Sequence, residues 1–319
     1  NFDGVGIEFN IINDTIVVVS AISGGPSEQL GIRPGDRIIE IEKKIVAGKK
    51  ITNDEVIKKL RGKKGTVVRV AIARRGTKDK LEFEIKRGKI PIHSVDASFM
   101  LDKQTGFIKI SRFAANTFDE YKSAFKKLAT QGLKNLVLDL RGNPGGYLDQ
   151  AIDLADEFLK DEQLIVYTEG KNRPRKYNYA TSKGGFESGN LVILIDEGSA
   201  SASEIVAGAV QDHDRGLIVG SRSFGKGLVQ EQMDFADGSA LRLTVARYFT
   251  PSGRCIQRRY DNGVDEYYES AYSRFHQSDT IKTTEDTTRY YTDSKRIVFG
   301  GGGINPDFQV SMDTSGLTK

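Results

Sequence analysis

Cysteine is almost missing: Cys255 stands alone in 319 residues, so the chain can form no internal disulfide and no thiolate cluster for a metal. It therefore says nothing about redox compartment, and no histidine flanks "PSGRCIQRR" to make Cys255 a nucleophile. Histidine is scarce as well, with three copies and no HExxH or comparable spacing, so the sequence offers neither a metal site nor a reason to invoke a cofactor. Long apolar runs are lacking: "LVILI" at 191–195 is the longest aliphatic stretch and is far too short to span a bilayer. Charge of one sign is lacking too. The +4 net charge comes from 47 basic and 43 acidic residues, interspersed, which implies solubility rather than a nucleic-acid surface; "KKLRGKKG" at 58–65 reads as a solvated helix end and turn. The chain opens at "NFDGVGIEF" with neither an initiator methionine nor an apolar signal stretch, as expected of a processed or trimmed chain.

What is present suggests two domains, since single cores stop growing at about 250–300 residues. Residues 1–88 alternate apolar and polar positions in short β-rich segments: "GIEFNI", "TIVVVSAI", "RIIEIEKKIV", "VVRVAIARRG" and "KLEFEIKRG". One helix, "TNDEVIKKL", opens with the capping box Thr52–Glu55. Residues 89–319 form the second domain, entered through "KIPIHSVDASF". Strand and helix alternate there through "GFIKIS", "TFDEYKSAFKKLATQG", "NLVLDL", "LDQAIDLADEFLK", "NLVILI", "SASEIVAGAVQDH" and "GLIVG", which predicts α/β layers with largely parallel strands. Their continuous apolar runs suit a sheet covered on two faces. The polar, tyrosine-rich stretch at 258–296 reads as a surface insertion or lid, and "GGGG" at 300–303 as a flexible turn.

Three strand ends carry possible chemistry. "DEGSASASEIVAGAVQD" places Ser199, Ser201 and Ser203 at a strand-to-helix turn, where a serine is either a helix cap or a nucleophile favoured by the helix amides. "GSRSFGKGLVQ" mimics a P-loop, but Gly227 stands where the metal-binding hydroxyl belongs, which argues against a nucleotide site and leaves Lys226 between two glycines. A neutral lysine can serve as base to a serine, which burial or electropositive neighbours permit by lowering a reference pKa near 10.4. His213 cannot compete from the same helix, because the twelve residues separating it from Ser201 rise about 18 Å. "LDLRGNPGGYLDQA" ends a third strand with glycines whose amides could face an anion.

Together "LDLRGNPGG", "EGSASASEIVAGAVQD", "GSRSFGKGLVQ" and "RYFTPSGRCIQ" resemble the C-terminal processing peptidases, or tail-specific proteases, serine peptidases with a Ser-Lys dyad. The resemblance implies an α/β peptidase core of the ClpP/crotonase-like type behind a small, mostly β PDZ domain. It makes Ser201 the nucleophile, Lys226 its base and Gln230 the residue that holds the lysine. Ala202 together with Gly145 or Gly146 would supply the oxyanion hole, and Asp212, eleven residues after Ser201 and on the same helix face, would support the site. Val5, Gly6 and Ile7 of "GVGI" occupy the place of the PDZ carboxylate-binding loop, where amides hold a terminal carboxylate while the peptide adds a strand. The implied substrates are proteins or peptides with apolar C-termini, cleaved through an acyl-enzyme. An extracytoplasmic, periplasmic or membrane-associated setting, a homo-oligomer and a regulatory adaptor are all compatible with the resemblance. The rival readings are a PDZ scaffold on an inactive peptidase core, and an acyl-transferring or hydrating enzyme on a related αβ fold.

Overall fold

The computed structural model describes residues 2–22, 24–90, 93–258 and 288–310. The chain divides into two compact units, Asn1–Ile92 and His93–Lys319, a boundary a few residues beyond the expected division at 88/89.

The first unit runs β1 (Phe2–Gly4), β2 (Ile7–Ile12), β3 (Thr15–Ala21), α1 (Pro26–Gln29), β4 (Arg37–Ile41), β5 (Lys44–Ile45), α2 (Asn53–Leu60), β6 (Val67–Ala73), β7 (Leu81–Lys86) and β8 (Gly88–Ile90). An antiparallel sheet has the order β2-β3-β4-β6-β7, with β5 paired to β4, so β2 lies at an edge. The β2–β3 turn is Asn13-Asp14, both with positive φ, as a two-residue hairpin of matching twist requires. Glu42 and Lys43 also have positive φ, and they divide the expected single strand "RIIEIEKKIV" into β4 and β5. Alternation continues on both sides of that reversal, so the apolar period conceals it. In α2 both halves of the Thr52–Glu55 capping box form, and Val56 and Leu60, one turn apart, are buried in the same core as Ile16, Ile38, Val70 and Ile72.

The second unit runs β9 (Val95–Met100), β10 (Thr105–Ile110), α3 (Thr117–Ala129), β11 (Asn135–Asp139), α4 (Leu148–Asp156), β12 (Leu164–Gly170), β13 (Arg173–Tyr179), β14 (Asn190–Ile195), α5 (Ala202–Asp212), β15 (Leu217–Gly220), β16 (Leu228–Asp234), β17 (Ala240–Phe249), β18 (Arg289–Tyr291), β19 (Ile297–Phe299) and β20 (Phe308–Gln309). Its main sheet has the order β20-β15-β14-β11-β10-β9, parallel except for β9. One face of that sheet is fully covered: Leu136, Leu138, Leu191, Ile193 and Ile195 are buried with α3, α4 and α5 side chains, while Val137, Val192 and Leu194 on the other face stay half-buried. Helix α5 is buried along its whole length, which its run of Ala, Gly, Val and Ile permits.

A second, antiparallel sheet, β13-β12-β17-β16, was not foreseen from the strand–helix alternation. "KIPIHSVDASF" also supplies β8 and β9 rather than a plain connection. Of the 258–296 stretch, residues 259–287 lie outside the described residues, and the remainder forms β18 and the turn into β19.

Candidate active site

Parallel strands β11, β14 and β15 end side by side, so the loops that follow them gather at one edge of the main sheet, where α/β folds build their sites. After β14 the chain turns into α5, and the three serines of that turn separate physically. Ser199 Oγ is buried and donates to Leu140 O (2.8 Å), while Ser203 Oγ, also buried, donates to Asn143 O (3.0 Å). Both hydroxyls thereby fasten the turn to the loop after β11. Ser201 between them is half-buried and has φ 54°, ψ −110°, a conformation that costs a non-glycine residue about 1–3 kcal/mol.

That strained turn is tied to the lysine loop by a buried carboxylate. Glu204 Oε2 accepts the amides of Ser201 (2.8 Å) and Lys226 (2.9 Å), while Oε1 accepts Ser223 Oγ (2.6 Å) and the Gly225 amide (2.7 Å). Burial pushes the Glu204 carboxyl above its usual value, and the four donated hydrogen bonds oppose that shift. A second tie comes from β17: the Tyr248 hydroxyl lies 2.6 Å from Lys226 O and 3.1 Å from Ser201 O. The backbones of Ser201 and Lys226, 25 positions apart, thus share two partners. Lys226 is half-buried and makes no salt bridge among the described residues.

The glycines at 300–303 correct the expectation of a flexible turn. Gly302 and Gly303 donate to Ile256 O, and a Cβ on Gly303 would lie 2.4 Å from Ser223 O. The run is therefore a close-packed support beneath "SFGKG", and bare backbone is what lets the two segments touch.

The loop after β11 lies directly over the Ser201 turn. A Cβ on Gly145 would sit 2.6 Å from Ala200 O and 2.8 Å from both Ala202 N and Ser201 Cβ. Asn143 organises this contact: its Nδ2 donates to Ile110 O, its carbonyl accepts the Ala200 amide, and its Oδ1 accepts the Gly145 amide (2.9 Å). With the Gly145 N–H so engaged, the amides of Gly146 and Ala202 are the ones at this contact without a hydrogen-bond partner among the described residues.

The other expected residues lie further out. Gln230, in β16, is exposed, and its Nε2 is 3.5 Å from Thr244 Oγ1. Asp212, at the end of α5, is buried; its oxygens accept from Arg254 Nη2 (2.7 Å) and the Ser252 amide (3.0 Å), which anchors "PSGR" to the helix. Both ring nitrogens of His213 are occupied, by Asp293 Oδ2 and Leu164 O at 2.8 Å each. His93 is exposed beside Glu120, and His276 lies outside the described residues. No group of three or more metal-binding side chains occurs among the described residues.

In the first unit, Val5 is buried and its carbonyl accepts from the Ser27 amide and hydroxyl. Gly6 O accepts the Ile22 amide, so Ile7, opposite Ala21, turns its own N–H and C=O to the open edge of β2. Phe9 does the same, because its opposite, Val18, bonds to Asp36 O and the Gly35 amide instead. Between β2 and α2 lies a groove of about 630 Å³ lined by Phe9, Asn10, Ile11, Ile12, Asn53 and Ile57. It follows the far half of β2, away from the Val5–Ile7 loop.

Known proteins resemble this chain in sequence and fold. A sequence profile of peptidase family S41 matches residues 104–270, and a PDZ-domain profile matches residues 17–74. The chain belongs to peptidase family S41. It is 36% identical over 263 residues to the carboxy-terminal processing protease CtpB of Bacillus subtilis, covering 81% of this chain and 54% of that protein. To the carboxy-terminal-processing protease of Bartonella bacilliformis it is 40% identical over 261 residues, covering 80% and 59%. Among solved structures, the photosystem II D1 C-terminal processing protease superposes with a TM-score of 0.51 at 28% identity, covering 97% of this chain and 72% of that one. The chain thus spans somewhat over half the length of these curated relatives.

In this member of family S41, two further residues join the site, Glu204 and Tyr248. Glu204 carries a legible signal, since Ser201-x-x-Glu204 has the same spacing as the Thr52–Glu55 capping box. Tyr248 carries none, because only the pairing of β17 with β16 and β12 brings its hydroxyl to the two carbonyls.

Proposed function

We propose that this serine-type S41 peptidase cleaves peptide bonds by a Ser201–Lys226 dyad and an acyl-enzyme. The supporting observation is the double tie, through Glu204 and Tyr248, between the Ser201 turn and the Lys226 loop. Neutral Lys226 takes the Ser201 hydroxyl proton as Oγ bonds to the peptide carbonyl carbon. The amides of Ala202 and Gly146 donate to the oxyanion, which the positive end of α5 also favours. Collapse breaks the C–N bond, and Lys226 returns the proton to the leaving amine. Water then attacks the ester with Lys226 again as base, releasing the acid and restoring Ser201. The resemblance assigns Gln230 to steady the lysine, its Nε2 standing 3.5 Å from Thr244 Oγ1 here, and Asp212 acts at a distance by holding the "PSGR" turn.

The PDZ domain selects the substrate. An extended C-terminal tail adds to the open edge of β2, its carboxylate on the Val5–Ile7 loop and its upstream residues in the groove against Ile57. Proteins or peptides with apolar C-termini are the substrates, and the setting is extracytoplasmic, with self-association or a regulatory adaptor compatible with it. The test is cleavage of an unfolded protein bearing an apolar C-terminus by the wild type, Ser201→Ala and Lys226→Ala. Loss in both variants supports the dyad; undiminished cleavage by either one refutes it.

A further inference from the structure

Among the described residues the sheet β13-β12-β17-β16 has two unlike edges. Edge strand β13, "RPRKYNY", carries Pro174 among three basic residues, Arg173, Arg175 and Lys176, the features by which proteins block the addition of a further strand. Edge strand β16, "LVQEQMD", has no proline and no lysine. Tyr248 N donates to Gly227 O, and Phe235 N donates to Ser239 O at the other end of the hairpin, which fixes the hydrogen-bonding register of β16. Leu228, Gln230, Gln232 and Asp234 therefore turn their N–H and C=O groups to the open side.

The hairpin is amphipathic as well. Cross-strand pairing sets Met233 beside Leu241 and Glu231 beside Leu243 on one face, with Gln232–Arg242 and Gln230–Thr244 on the other. Met233, Leu241 and Leu243 are about half exposed, as is Phe235 at the turn. An open strand edge next to an apolar face is a site for an extended polypeptide rather than for a small ligand. Its place identifies which polypeptide: β16 begins two residues after Lys226, and β17 carries Tyr248.

We infer that the β16–β17 hairpin is a strand-addition platform that holds the unfolded part of the substrate beside the dyad. The substrate main chain pairs along the outward groups of β16, and every second side chain rests on the face of Met233, Leu241 and Leu243. Within a substrate held by its tail, the favoured cleavage segments are those that alternate apolar and polar residues. This inference rests on the peptidase reading above.

The test uses the whole chain with Gln232→Pro, which removes an outward N–H at an edge position, and Leu243→Asp, which charges the apolar face and leaves the strand pairing intact. Cleavage of an unfolded protein is measured beside labelling of Ser201 by a small fluorophosphonate, which needs no platform. The expected result is a fall in kcat/KM of about tenfold or more, carried mainly by KM, with labelling rates within about twofold of wild type. If Gln232→Pro fails to fold, Leu243→Asp decides alone. Cleavage unchanged in the variants overturns the inference, and so does a parallel loss of cleavage and labelling, since the hairpin would then shape the site itself. A wild-type dimer that Leu243→Asp converts to monomer with cleavage retained makes the face an interface between copies and overturns it too. A wild type that neither cleaves nor is labelled refutes the peptidase reading, and this inference falls with it.

Discussion

Glu204→Gln is the most informative substitution, because one buried side chain joins the Ser201 turn to the Lys226 loop. Each carboxylate oxygen accepts two hydrogen bonds, from Ser201 N and Lys226 N on one side and from Ser223 Oγ and Gly225 N on the other. Glutamine keeps one oxygen and replaces the other with an amide nitrogen, so two donors meet a donor. Hydrogen bonds to a charged group contribute about 1.5–3 kcal/mol each, and losing two is partly offset by no longer burying a carboxylate, which leaves a net loss of about 2–3 kcal/mol. For a unit of this size that corresponds to a fall in Tm of about 5–10 °C. The effect on rate exceeds the effect on stability, since a displacement of about 1 Å between reacting groups costs roughly a hundredfold. Thermal unfolding and kcat are measured for the wild type, Glu204→Gln and Glu204→Asp, with the aspartate retaining the charge but falling short of the loop. A Glu204→Gln protein with unchanged Tm and kcat would refute the claim that this carboxylate couples the two segments.

Gly145→Ala is expected to abolish turnover, because the added Cβ would press on Ala200 O and the Ser201 Cβ at a positive φ; circular dichroism should show the fold retained, and a fully active variant would contradict the placement of this loop. Asp212→Ala leaves the fully buried Arg254 without its carboxylate and should cost about 3–5 kcal/mol, read by urea unfolding, with activity falling as "PSGR" loosens. Burial alone would raise Asp214, but Ser294 and Arg296 outweigh it and hold its carboxyl at about 2 instead of 3.8. A depressed carboxyl stabilises the fold above its unfolded value, so about 2 kcal/mol should disappear as pH falls from near 4 towards 2. Asp214→Asn should lose that part of the acid dependence, and an unaltered acid-unfolding curve would count against the network. In the PDZ domain, Ile57→Asp should weaken binding of an apolar-tailed peptide to the Ser201→Ala chain, followed by calorimetry; unchanged affinity would remove the β2–α2 groove from tail recognition.

Much of this was legible in the sequence because local chemistry dictates it. The Thr52–Glu55 box set the start of α2, and the apolar runs around Leu138 and Ile193 placed the parallel strands whose ends carry the site. What stayed hidden depends on contacts distant in sequence. The sheet of β12, β13, β16 and β17 joins strands as far apart as Tyr167 and Phe249, and much of β16 and β17 lies exposed, so no buried alternation announces them. By local sequence the three serines are equivalent and only the resemblance singles out Ser201; in the structure Leu140 O and Asn143 O engage Ser199 and Ser203. The glycines at 300–303 looked like slack, and only the approach of Ser223 O shows why a side chain has no room there.

The central claim is that Ser201 is made nucleophilic by Lys226. The direct measurement is intact-mass and peptide mapping of the chain after brief exposure to a fluorophosphonate, with the wild type and a folded Lys226→Ala variant side by side. The account predicts a single adduct on Ser201 in the wild type and almost none in Lys226→Ala over the same interval. An adduct on another residue, or labelling of Lys226→Ala at the wild-type rate, would contradict it.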